Sequence, residues 1–324
     1  MLTSRFSRLG DARAFLQRAT VIYRPCSVST TSLKRPFSSS LTRHSKVVEL
    51  DYVVNIPPDG NKTEGSLVIL HGLFGSKRNF TTLSRAFMKE LNIPVYALDL
   101  RNQGTSPHVE PMTYSYMAMD VLHFLNTHSL TNITLLGHSM GGKAAMAVAL
   151  HPSLETSNSG ILSNLIVADV APTRAQLSGE FKQYVKAMKE IEQRKLKTKK
   201  EVLEVLQTYE KDSQLCAFLM TNLEPMTAAK PYAKFRVPLD TLGDAITEIG
   251  SFPYAPGERT WSGPTMFIKG SKSAYINRHN MPDIEAFFPT AALETLDAGH
   301  WVHGDRPAEF KQLVVDFIKR YSTR

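Results

Sequence analysis

The sequence predicts an α/β fold: a mostly parallel central sheet with helices on both faces and a helical cap inserted between two of its strands. Three observations carry this expectation. From Lys46 onward, strand-like and helix-like segments alternate, the pattern that builds a parallel sheet covered on both sides. Ser66–His71 (SLVILH) is a continuous apolar run, as a strand buried on both faces requires. Between about Thr173 and Gly250 the alternation stops and helical periodicity takes over. A chain of 324 residues suits one large domain with an inserted lobe.

Val47–Val54 reads as the opening strand and Ser66–His71 as the second. Pro94–Leu100, Ile133–Leu136, Leu165–Val170, Thr265–Lys269 and Ala291–Leu296 repeat the apolar pattern. Phe80–Leu91 and Tyr114–His128 read as helices between them, and Glu309–Tyr321 as a closing helix with Phe310, Leu313, Val314, Phe317 and Ile318 on one face. Inside the interrupting block, Phe181, Val185, Met188 and Ile191 fall on one face of a helix. The charged stretch Gln193–Glu201 reads as a solvated helix end or turn, and Leu203–Leu223 resumes the helical pattern. The expected organisation is a leader over residues 1–44, a core formed by 45–172 and 251–324, and a cap or lid over 173–250.

Composition narrows the function. With 42% hydrophobic and 21% charged residues, the chain is neither disordered nor fibrous. No apolar run approaches the roughly 18–20 residues of a membrane-spanning helix, so no membrane span is expected. The formal charge of +8 would suggest a nucleic-acid partner, but residues 1–45 carry eight Arg or Lys against the single acid Asp11. The remainder is close to neutral, which argues against nucleic acid. The leader is rich in Ser, Thr and Arg, and Leu2, Phe6, Leu9 and Leu16 recur at helical spacing. This is the composition of a mitochondrial transit peptide, and it implies a mitochondrial, matrix location. The run from Arg35 through Phe37 to Ser40 resembles a matrix-processing signal, with cleavage near Ser45. Two cysteines, Cys26 and Cys216, make neither a disulfide framework nor a metal site and point to a reducing compartment.

The chemistry is concentrated in Ile133–Ala144 (ITLLGHSMGGKA). A buried strand runs into Gly137-His138-Ser139-Met140-Gly141 and a helix-compatible sequence follows, the strand–turn–helix context of a G-x-S-x-G nucleophile elbow. Side chains two residues either side of Ser139 would collide in so tight a turn, hence Gly137 and Gly141. A serine hydroxyl needs a general base. His300, directly after Gly299 at the end of the last strand, is the choice, and His303 reads as a structural histidine of the same turn. The pair has weakly zinc-like spacing but no third ligand, so neither a metal nor a cofactor is expected.

The acid that orients the base has two candidates. The slot after Thr265–Lys269 holds Ser273 and no carboxylate until Asp283. Asp169, ending the strand before it, is favoured; Asp240, in the inserted lobe, is the alternative acid. The oxyanion hole is expected from the backbone N–H groups of Leu73, in the loop His71-Gly72-Leu73-Phe74-Gly75, and of Met140. His71 reads as packing that loop, Asp99 and Arg101 as scaffolding the loop after the third strand, and His108 and His138 as structural.

Together HGLFGSKRNF, DLRNQGTSPH, LLGHSMGGKAAM, VADVAP and DAGHWVH resemble the mitochondrial α/β-hydrolase-domain family that includes fungal ethanol acetyltransferases and small bacterial esterases, over about residues 47–320. The resemblance implies an α/β-hydrolase fold and maps a serine, an aspartate after the sixth strand and a late histidine onto Ser139, Asp169 and His300. Some members are assigned an acid at the position of Asp240. The chain departs from the family pattern at Gln103, where relatives often have His, and at Phe80, where they often have Trp. The implied activity is hydrolysis of esters or thioesters through a Ser139 acyl-enzyme. One alternative is synthesis of esters from acetyl-CoA and a small alcohol. Another, from a different class, is a non-catalytic binding or chaperone-like protein on the same scaffold.

Overall fold

The computed structural model describes residues 47–61, 65–156, 160–175 and 179–321; the leader assigned to residues 1–44, with Cys26, lies outside them. The strands β1 (Tyr52–Asn55), β2 (Ser66–Leu70), β3 (Val95–Leu98), β4 (Ile133–His138), β5 (Leu162–Ala168), β6 (Thr265–Gly270) and β7 (Ala292–Leu296) form one sheet in the order β1-β3-β2-β4-β5-β6-β7. β1 runs antiparallel to β3, and every other pairing is parallel. Within β2, successive side chains point to opposite faces. Leu67 and Ile69 pack with Phe80, Phe87, Phe310 and Val314, under α1 (Thr81–Leu91) and the closing helix (Pro307–Tyr321). Val68 and Leu70 pack instead with Met117, Val121, Leu125 and Met146, under α2 (Tyr114–Thr127) and α3 (Met140–Ala149). An apolar run with no polar alternation is thus what two covered faces demand.

Register sets where the chemistry lies. Leu70 pairs with Gly137, and His138 with Ala168, so the chain leaves β2, β4 and β5 at one common edge. Ala168 pairs in turn with Ile268 and Gly270 with Leu296, which brings the segments after β6 and β7 to the same edge. Loops at the carboxyl ends of parallel strands are where α/β sheets place their sites.

Among the described residues, four helices lie between β5 and β6: α5 (Gly179–Gln193), α6 (Lys199–Tyr209), α7 (Ser213–Met220) and α8 (Leu239–Gly250), the last two separated by a longer connection; the short α4 (Pro152–Thr156) precedes β5. The charged stretch after α5 ends in a capping box: Glu201 N–H donates to Thr198 Oγ1 at 3.2 Å and Thr198 N–H to the Glu201 carboxylate at 2.9 Å. The helical pattern over Leu203–Leu223 is divided between two helices, because Asp212 accepts from the N–H of Gln214 at 2.8 Å and starts α7 anew. α8 falls within the helical block expected over 173–250, where no individual helix was singled out at these positions. It buries Leu242, Ile246 and Ile249 on one face and carries Asp240 in its first turn.

The two segments where the chain leaves and re-enters the sheet are tied together. Ala175 N–H donates to Gly250 O at 3.0 Å. Lys143, on α3, donates its three ammonium hydrogens to Thr173 O (2.8 Å), Gly250 O (2.8 Å) and Ser251 O (2.9 Å). Burial pushes its pKa down to about 8, so at neutral pH it is still the ammonium those carbonyls require.

The loop after β3 is scaffolded from within. Asp99 accepts from the N–H groups of Lys77 (2.6 Å) and Thr105 (2.8 Å) and pairs with the Lys77 ammonium. Arg101 is fully buried and grips Asp120 with two bonds of 2.6 and 2.7 Å. Burial holds the Asp120 carboxyl above its ordinary pKa, with Arg101 opposing. Removing one partner strands a buried charge, so Arg101→Met is expected to lower unfolding free energy by about 3–5 kcal/mol, and the Arg101→Met/Asp120→Leu double variant to recover most of it. Urea melts of the two variants check this.

Candidate active site

Ser139 joins β4 to α3 with φ 53° and ψ −119°, a left-handed backbone that a serine adopts only under constraint. The turn has no room beside it. A Cβ on Gly137 would lie 2.2 Å from Gly141 O, and one on Gly141 would lie 2.4 Å from Leu70 O. Ser139 N–H donates to Ala168 O at 3.0 Å, anchoring the turn to the next strand.

Asp169 sits just past the tip of β5, buried, with φ 51°. Its N–H donates to Ile268 O at 2.8 Å, and its Oδ1 accepts from Gly270 N–H at 2.9 Å. Its Oδ2 accepts from the Ser273 hydroxyl and from His300 Nδ1, the latter at 2.7 Å. The segment after β6 therefore contributes Ser273, whose hydroxyl braces the acid that β5 supplies. Asp240 is elsewhere: its side chain is 93% exposed and pairs with Lys189 at 2.6 Å.

His300 completes the row. With Nδ1–H committed to Asp169, the lone pair of Nε2 faces the Ser139 hydroxyl at 2.9 Å. Tyr275 stacks on the imidazole with centroids 4.0 Å apart and planes at 23°. Burial pushes the Tyr275 phenol up to about 12, so it stays neutral. From below, His138 Nε2–H donates to the carbonyl of His300 at 2.9 Å. His303 lies between Phe80 and His138, its ring 4.7 Å from the first and 4.5 Å from the second. Burial, reinforced by the nearby His300, pulls His303 down to about 4, and burial with the adjacent imidazoles pulls His138 well below its ordinary value. Both are thus neutral packing around His300, as their sequence context suggested. His108 is exposed.

The loop after β2 closes over the serine. A Cβ on Gly72 would lie 3.1 Å from His138 Nδ1 and 3.3 Å from Ser139 Cβ, tighter than an ordinary side-chain contact, so glycine eases the close approach of this loop. His71 fixes the loop from inside the fold: its Nε2 accepts from Leu100 N–H at 3.1 Å, which leaves Nδ1–H to donate to Gly72 O at 2.7 Å. Phe74 holds φ 59°, and its carbonyl accepts from the Asn222 amide at 2.7 Å. Asn222, beyond α7, thereby ties the inserted helices to this loop. Met140 begins α3, so its N–H has no intrahelical acceptor.

Two cavities meet at Ser139, of about 380 and 500 Å³, and both touch Leu73, Glu180, Phe181 and Tyr275. No helix among the described residues is long and apolar enough to cross a membrane, and no group of three or more metal-ligating side chains occurs among them. Cys216 is buried within α7 and lines neither cavity. Lys143, Asn222 and Tyr275 were not singled out from sequence. Lys143 alone left a trace there, as one charge in an otherwise apolar Gly/Ala/Met helix.

Residues 65–307 match the family model described as the alpha/beta hydrolase fold. The chain is 34% identical to a protein of Saccharomyces cerevisiae named a probable alcohol acetyltransferase, over 97% of this chain and 98% of that one. It is 36% identical to the sn-1-specific diacylglycerol lipase ABHD11 of Xenopus laevis, over 86% of each. Among solved structures, a marine microorganism esterase superposes with a TM-score of 0.72 at 33% identity, covering 83% of this chain and 99% of its own. The fold and family expected from sequence agree with these relatives: the chain belongs to the α/β hydrolase family.

Proposed function

We propose that the protein hydrolyses carboxylic esters or thioesters through a Ser139 acyl-enzyme, with His300 as general base and acid and Asp169 as the group that orients it. One observation carries the reading: His300 stands between the two, 2.9 Å from Ser139 Oγ through Nε2 and 2.7 Å from Asp169 through Nδ1. Attack by Oγ on the acyl carbon passes the hydroxyl proton to Nε2, and the imidazolium formed is stabilised by the buried Asp169 carboxylate. Collapse of the tetrahedral adduct breaks the bond to the leaving oxygen or sulfur, which takes that proton. Water then enters with His300 again as base. The oxyanion is assigned to the N–H groups of Leu73 and Met140, the first on the loop pressed against Ser139, the second at the free start of α3. The lipase and esterase relatives support an ester substrate. The residues 173–250 serve as a cap over this site.

Acetyl transfer to a small alcohol is the second reading, supported by the acetyltransferase relative that matches nearly the whole chain. Its donor would be acetyl-CoA and its first half-reaction is the same. A non-catalytic role fits poorly with a serine, imidazole and carboxylate in hydrogen-bonded sequence. The Arg- and Ser-rich leader supports a mitochondrial address, with processing near Ser45.

A fluorophosphonate probe is expected to label the wild type and spare Ser139→Ala. Asp169→Asn is expected to lower kcat by about 10⁴-fold, since the amide favours the wrong imidazole tautomer. Asp240→Asn should keep wild-type kcat, and a loss there comparable to Asp169→Asn would transfer the acid role. Incubation with acetyl-CoA, with and without ethanol, distinguishes the two readings: free acetate as the product in both supports hydrolysis, whereas ethyl acetate supports transfer. Fractionated cells expressing the full chain should hold it inside mitochondria, shortened near Ser45; an intact Met1 in the cytosol would exclude the address.

A further inference from the structure

The two cavities that meet at Ser139 differ in a way that proton transfer makes meaningful. His300 lines the larger one, together with Phe80, Leu83, Leu215, Phe218 and Trp301. Among the described residues lining the smaller one His300 is absent; there the wall is formed by Tyr114, Val170, Ala171 and Ile249, with Asn277 and Asn280. Acylation ends when the bond between the acyl carbon and the leaving oxygen or sulfur breaks and the proton on His300 Nε2 passes to that atom. The leaving atom therefore has to lie within hydrogen-bond reach of Nε2, on the side of the larger cavity. The acyl substituent, attached to the same carbon, is left with the other arm.

We propose, resting on the Ser139–His300 reading above, that the alcohol or thiol portion of the substrate occupies the aromatic 500 Å³ cavity and the acyl chain the 380 Å³ cavity, so that the substrate class is esters or thioesters whose leaving group is the bulkier, apolar part. The far wall of the acyl arm is held in place. Lys143 lines it while its ammonium is bound to Thr173 O, Gly250 O and Ser251 O, and Tyr114, also lining it, donates its hydroxyl to Ile249 O at 2.6 Å. Those bonds pin both ends of the inserted helices at that wall, so lengthening the arm means breaking them. The leaving-group arm is walled by side chains of α1, α7 and the segment after β7, and two of its rings, Phe218 and Trp301, lie with centroids 5.8 Å apart and planes tilted at 54°. Apolar alcohol substituents find aromatic faces there, and the acyl arm offers a fixed depth.

The test uses two substrate series hydrolysed by the full-length enzyme: ethyl esters of increasing acyl length, and acetate esters of increasingly large apolar alcohols, with kcat/KM from acid release. Ala274, exposed and on the wall of the acyl arm, is replaced by Phe; Thr82, exposed and on the wall of the leaving-group arm, is replaced by Trp. Ala274→Phe is expected to reduce kcat/KM about tenfold or more for the longest acyl chains while leaving the order of alcohol preference unchanged. Thr82→Trp is expected to do the reverse. Phe218→Ala, which widens the leaving-group arm, should raise the largest alcohols relative to ethanol. Crossed effects, with Ala274→Phe acting on the alcohol series, overturn the assignment, and so does an equal loss in both series. Labelling by fluorophosphonate reports separately on the underlying reading: turnover that persists in Ser139→Ala rejects the acyl-enzyme itself, whereas an intact Ser139 requirement with crossed effects rejects only the division of the arms.

Discussion

A serine at φ 53° is held there by the two elements it joins, β4 and α3. The strand tip is fixed by pairing on both sides, Gly137 to Leu70 and His138 to Ala168, and the helix must start at once. Gly137 and Gly141 remove the two Cβ atoms that would collide with backbone 2.2–2.4 Å away. A left-handed non-glycine residue costs on the order of 1–3 kcal/mol and persists only where the surroundings over-determine it. Here those surroundings are the sheet itself, and the strain is offset by the burial of two apolar layers.

Everything placed around Ser139 follows from that edge. Parallel pairing delivers the ends of β2, β4, β5, β6 and β7 to one line, so the glycine loop, the serine, Asp169, Ser273 and His300 arrive from distant sequence positions without long excursions. The imidazole is then fixed from three sides: Asp169 on Nδ1, Tyr275 on one ring face, and His138 on the backbone carbonyl. Such a group keeps its tautomer and its aim, which is most of what a general base requires.

The inserted helices are joined to this centre at two kinds of point. Lys143, one turn after Ser139 on the same helix, holds both segments by which the insertion leaves and rejoins the sheet. Asn222 holds the carbonyl of Phe74 in the loop pressed against the serine. Movement of the insertion therefore cannot be independent of the sheet edge that carries Ser139, since the same bonds that fix one fix the other.

The glycine spacing around Ser139, the apolar runs of the strands and the late Gly-His pair were legible in the sequence because they report local constraints: a turn that excludes Cβ atoms, faces that exclude water. Helix boundaries inside the insertion were less so, because Asp212 acts as a cap only if the chain turns there, and α8 buries its face on a surface formed by other elements. Asp169 was favoured over Asp240 from its place at a strand's end, but a carboxylate there and one in a helix's first turn look alike until strand order is known. Pairing of β5 with β6 puts Asp169 beside His300 and leaves Asp240 in solvent against Lys189. What the chain encodes locally is which residues can occupy a cramped turn; which of them meet is decided by register, a property of strands far apart in sequence.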